Sequence, residues 1–199
     1  MTNKYNAQRA YWHPRCGYFK GKQALEDYFT LSKVEDSGII KDNFQVFDSG
    51  FEADIHKLLN EFVNKNSKLV LFTQVQVDLS QPGFCNLGYR IDFCVGFKKQ
   101  TGFATKNSPI LAKTDNISYN ELHKYIELKN SLLVEAKGVF TPESRFKHLL
   151  LESHGIRHGK GIEIVQATPQ HVSRGRKCYE TISPATLREI LNQRFNCEE

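Results

Sequence analysis

Cysteine is sparse and unpaired in this chain. There are five in 199 residues, Cys16, Cys85, Cys94, Cys178 and Cys197, an odd number with no C-x-x-C spacing. That argues against a disulfide framework and against a zinc ribbon, which both draw on cysteines in pairs. His154 and His158 are four apart, but the glycines of SHGIRHGKG favour a turn over a metal-binding helix. No apolar run is long enough to span a bilayer and no leader-like segment is present, so an intracellular protein, cytoplasmic or nucleoid-associated, with no membrane partner is expected. Internal repeats and low-complexity linkers are also missing, and nothing calls for a small organic cofactor.

What is there is a mild excess of positive charge, +5 overall with a pI near 8.9. It suits a polyanionic partner without demanding one. Its distribution says more: the strip from Asp48 to Gly96 is net acidic, while the ends of the chain and the stretch 98 to 131 are basic. The length fits one domain of moderate size with a real core.

Chemistry concentrates in a few short segments. In LLVEAKG (132 to 138), Glu135 and Lys137 are two apart on a strand-like run and share a face. A carboxylate there can hold a divalent cation while the ammonium orients the attacking water, although Glu-x-Lys is also common on solvated strands. In GYRIDFCVGF (88 to 97), Tyr89, Ile91, Phe93, Val95 and Phe97 alternate with Arg90, Asp92 and Cys94, which predicts a strand. Aspartate is depleted in strands, so a cation or a neighbour such as Arg90 should compensate Asp92. In FDSGFEADIHKLLNEFV (47 to 63), Phe51, Ile55, Leu58, Leu59 and Phe62 form a helical stripe behind Ser49 as N-cap. Glu52 falls in the first turn, where helix electrostatics explain an acid as well as a metal would.

After the Glu-x-Lys strand, Thr141 and Pro142 open a helix that closes at Gly155, with Phe146, Leu149 and Leu150 as its buried stripe. Arg145, Lys147 and His148 are left to face outward, where a phosphate backbone could meet them. The N-terminal KYNAQRAYWHPRCGYFKGK mixes aromatic and basic residues, as a base-stacking arm or a packed one would. A helix is expected from about Gln23 to Val34, and another around Tyr119 to Lys129. Near the other end Arg174, Arg176 and Lys177 surround Gly175 as a phosphate-binding loop, and a last helix runs from Ser183 or Pro184 to about Phe195.

FDSGFE with its helix, YRIDF, VEAKG and the R-x-K-H-L-L run at Arg145 to Leu150 occur in the order found in the bacteriophage endonuclease I group of Holliday-junction resolvases, within the PD-(D/E)XK nuclease superfamily. The chain resembles that family over about residues 47 to 168. It has Ile91 where the family has proline, and residues 98 to 131 where the family has a tight turn. The resemblance implies an α/β restriction-endonuclease-like core: a central mixed sheet of strands near 69 to 79, 89 to 97, 132 to 137 and 162 to 168, flanked by helices at 51 to 64 and 142 to 153. It is expected to form a single nuclease domain, with 1 to 46 as an N-terminal elaboration and 169 to 199 as a basic loop and C-terminal helix.

The resemblance also implies a Mg²⁺-dependent DNA endonuclease, sequence- or structure-specific, working as a homodimer, with Mn²⁺ as a substitute metal. Asp92, Glu135 and the Ala136 carbonyl would ligate the metal, Glu52 would help hold a second ion or a water, and Lys137 would position the nucleophilic water. A junction resolvase in particular, and a non-cleaving nucleic-acid-binding protein on the same fold, are the alternative expectations.

Overall fold

Branched and aromatic residues in short runs, separated by glycine, asparagine and proline, give the chain its strands. The computed structural model describes residues 8–31, 44–80, 87–99, 116–138, 141–157, 159–174 and 177–195. Residues Met1–Lys57 and Leu58–Glu199 form two compact units.

The first unit carries the strands Ala10–His13 (β1), Gly17–Lys20 (β2) and Gln45–Phe47 (β3), which make an antiparallel sheet in the order β2-β1-β3. The described part of the aromatic and basic N-terminal segment is therefore a packed hairpin. A helix Lys22–Leu31 (α1) follows β2, where one was expected from Gln23; the end expected at Val34 lies outside the described residues. Helix Gly50–Asn64 (α2) begins in this unit and continues past its boundary. Trp12, Tyr18 and Phe47 surround His56 on α2, with ring centroids 4.8, 5.9 and 4.9 Å from the imidazole.

The second unit is built on a four-stranded mixed sheet: Leu69–Asp78 (β4), Gly88–Phe97 (β5), Leu132–Ala136 (β6) and Ile162–Val165 (β7), in that spatial order. β4, β5 and β6 are antiparallel neighbours, and β7 lies parallel to β6. Parallel neighbours need a crossover, which helix Pro142–Ser153 (α4) supplies. Between β5 and β6, helix Tyr119–Leu122 (α3) and a 3₁₀ turn Leu128–Asn130 replace the single longer helix expected there. Ile117, Leu122 and Ile126 are buried; the Lys99 amide donates to the Tyr125 carbonyl at 2.8 Å and the Glu127 amide to the Phe97 carbonyl at 3.2 Å. Pairing with the end of β5 thus takes backbone groups that a continuous helix would have used. The unit ends with a hairpin of His171–Arg174 (β8) and Lys177–Glu180 (β9) and helix Pro184–Phe195 (α5).

Strict alternation fails in both long strands, at facing positions. β4 gives Val70 and Phe72 to one core cluster and then Val75 and Val77, so its inward face changes parity at Gln74, whose φ is +56°. β5 gives Tyr89 and Ile91 and then Cys94, changing parity across Asp92. Thr73 pairs Phe93 and Val75 pairs Ile91, which sets Gln74 opposite Asp92 in register. A local twist of this kind re-aims side chains in the manner of a β-bulge. On the other face Phe195 of α5 packs against Phe97 and Phe62 at 5.4 and 6.3 Å, so both faces of the sheet are covered. The parity change puts Cys94, expected opposite the aromatic face, into the core cluster, where it is fully buried; burial pushes its thiol up to about 12.

Candidate active site

The β5–β6 ladder runs through Val95↔Leu132, Cys94↔Leu133 and Phe93↔Val134, and no further. One step on, the same register sets Asp92 opposite Glu135. Side chains there take over from backbone rungs: the Ala136 amide donates to Asp92 Oδ2 at 2.8 Å, and the Asp92 amide donates to Glu135 Oε2 at 3.3 Å. Two backbone donors that the diverging strands would leave unpaired are satisfied by two carboxylates, which fixes both acids on neighbouring strands.

Glu135 is 0% exposed, and a buried carboxylate needs partners. Its Oε1 accepts from the Tyr89 hydroxyl at 2.6 Å and pairs with the Lys137 ammonium. Lys137 keeps 20% of its side chain exposed and lies 5.8 Å from the Tyr89 ring centroid. Asp92 is half-buried, so this corner opens toward solvent on the side of Asp92 and Lys137. Burial, and then the Glu135 carboxylate, raise the Tyr89 phenol well above its ordinary value, which keeps it a donor.

α4 starts with a reciprocal cap, Thr141 Oγ1 accepting from the Ser144 amide and Ser144 Oγ accepting from the Thr141 amide. Its inward face differs from the expected one. His148 is 2% exposed and Leu151 is buried, whereas Phe146 is 53% exposed. His148, expected to face outward toward DNA, instead sets its ring edge against Tyr89, 5.7 Å between centroids, with Nε2 3.4 Å from the hydroxyl. The helix is rotated because Leu151 and Ile156 join the core cluster at its C-terminal end. Arg145 is half-buried, its Nε enclosed with no hydrogen-bond partner. Lys147 is ion-paired with Glu143 at 2.7 Å and stands 5.8 Å from the Tyr89 ring centroid.

Glu52 belongs to the first unit. Its amide donates to Ser49 Oγ at 3.1 Å, the N-cap half of a capping box for α2, and its Oε2 accepts from the amide of Asp48, one residue before the cap, at 3.1 Å. These contacts correspond to the helix-electrostatics side of the two readings its position allowed. Arg176 lies outside the described residues, as do the side chains of Arg174 and Lys177. The alternation of residues 88 to 97 places Tyr89 only on an apolar face; its hydroxyl at the head of the Asp92 strand is the signal the sequence offers. Gln166 follows Val165, whose carbonyl accepts the Lys137 amide at 2.9 Å, and both polar atoms of its buried side chain lack a hydrogen-bond partner. Among the described residues no group of three or more His, Cys, Asp or Glu side chains is arranged to hold a metal ion.

Comparison of the chain with known protein families, with curated proteins and with solved structures returns no match.

Proposed function

We propose that this chain is a Mg²⁺-dependent endonuclease that hydrolyses phosphodiester bonds in DNA, on a restriction-endonuclease-like core. The observation that carries the reading is the joining of Asp92 and Glu135 across two diverging strands, with Lys137 paired to Glu135 at the open side. The order of elements in and around the mixed sheet, helix, three antiparallel strands, helix and parallel strand, supports it.

The donor chemistry fits the metal. Mg²⁺ takes hard oxygens, commonly one or two carboxylates, and keeps water and phosphate oxygens for the rest. Asp92 and Glu135 would hold it, with the Ala136 carbonyl as a third oxygen. When bound, it would supply Lewis acidity at the phosphate and make its water more acidic. Lys137 would orient the attacking water and offset charge on the phosphate, while Tyr89 and His148 hold Glu135 in place. Products would carry 5′-phosphate ends, and a homodimer would let two such sites cut two strands.

A binding protein that does not cut is the second reading. It is favoured by Glu135, whose two oxygens are taken by Tyr89, Lys137 and the Asp92 amide. Plasmid incubated with Mg²⁺ separates the two. Wild type should cut, and Glu135→Gln and Lys137→Ala should each lose at least about a hundredfold in rate while still binding DNA. Glutamine can replace glutamate in a capping box, so Glu52→Gln should fold normally, and a drop in its rate would support a second-ion role. Inert wild type across Mg²⁺ and Mn²⁺ would leave the binding reading. A four-way junction offered beside a linear duplex of the same sequence distinguishes a resolvase from a sequence reader.

A further inference from the structure

A second place in the Leu58–Glu199 unit gathers charge of one sign. The turn after α4, the start of β7, the 3₁₀ turn before β6 and the last turn of α5 enclose a cavity of about 170 Å³. Lys129, Lys160 and Arg194 line it, from three distant parts of the chain, and no aspartate or glutamate is among the lining residues. Among the described residues none of the three cations is in an ion pair. Like charges held at one cavity with no acid among them repel, so the arrangement is stabilised by an anion that enters.

We propose that this cavity is a binding site for a phosphate group. Its size suits the ligand, since one water takes about 30 Å³ of liquid volume and the cavity leaves room for a tetrahedral oxyanion with several waters. Arg194 offers the planar fork that grips two phosphate oxygens, and the lysines add point charges from the exposed rim. A Cβ built on Gly155 or Gly161, both in the lining, meets nothing within 4 Å, so the backbone faces open space and an anion can approach it. Glu163, which interacts electrostatically with Arg194, is buried on β7 and is not part of the lining. None of Asp92, Glu135 or Lys137 lines the cavity, and the inference does not rest on the nuclease reading.

The phosphate could come from a nucleic-acid backbone or from solution. The test uses the full chain, isotope-labelled, in metal-free buffer at constant ionic strength, titrated with inorganic phosphate against chloride. The Gly155 and Gly161 amide signals should move saturably with phosphate only. Lys160→Gln and Arg194→Gln should each weaken binding about tenfold, the loss of one charge-assisted bond, with Arg194→Lys in between. A short duplex that reverses the phosphate shifts in wild type identifies a backbone phosphodiester as the source. Failure to reverse them identifies free phosphate, and either result supports the site. No saturable shift, or an equal dissociation constant in the folded glutamine variants, overturns it. Plasmid that stays intact in a separate assay would count against the nuclease reading alone.

Discussion

At the scale of single residues, buried polar groups decide more here than exposed charges. Glu135 has no exposed surface and is met by a phenol, an ammonium and a backbone amide, so removing any one leaves a polar atom facing a low-dielectric surround. His56 is the corresponding case in the first unit. Ringed by Trp12, Tyr18 and Phe47, its imidazole is pushed down to about 4 by burial, with Nδ1 2.8 Å from the Tyr18 hydroxyl. Its folded value lies below the unfolded one of 6.5, so the unfolded chain binds the proton first as pH falls. Stability is therefore full above about pH 6.5 and is lost on the way down to about pH 4. Between pH 7 and pH 5 this single group should remove about 2 kcal/mol. Urea midpoints of wild type and His56→Phe at both pH values check it, and parallel losses in the two proteins would contradict the assignment.

At the scale of elements, α4 shows how a helix end can set a helix face. The Ile156 amide donates to the Leu151 carbonyl at 3.0 Å, the Gly155 amide donates to Glu152 at 3.0 Å, and Gly155 sits at φ +83°. This is a Schellman ending, in which the residue after glycine packs back on the last turn. Leu151 and Ile156 are both in the core cluster, so the ending anchors α4, turns His148 inward and leaves Phe146 outside. Leu151→Ala, at a fully buried position, should cost about 2–5 kcal/mol in chemical denaturation. A loss under about 1 kcal/mol would mean that the anchor lies elsewhere.

For the molecule as a whole, the excess of five positive charges is the property with the longest reach. Lysines and arginines that meet a phosphate backbone release its counterions, so affinity should fall steeply with salt. Duplex binding by the Glu135→Gln variant, measured by anisotropy, should weaken at least about a hundredfold between 50 and 200 mM salt. Affinity flat across that range would remove DNA as the partner that the charge implies. Among the described residues no helix is long and apolar enough to cross a membrane.

The sequence alone determined the elements that depend on local pattern. β4 and β5 follow their branched and aromatic runs, α4 follows its Thr-Pro start and glycine stop, and α5 follows Ser183, whose Oγ accepts the Thr186 amide. The shared face of Glu135 and Lys137 was legible too, because side chains two apart on a regular strand point the same way. Tertiary structure decided the rest. Only the divergence of β5 from β6 turns Asp92 and Glu135 into each other's backbone partners, only the Schellman anchor buries His148, and only folding brings Lys129, Lys160 and Arg194 to one cavity. Periodicity reports which side of an element is apolar, whereas a parity change at Gln74 and Asp92, or the rotation of a helix about its axis, depends on contacts with residues far away in the chain.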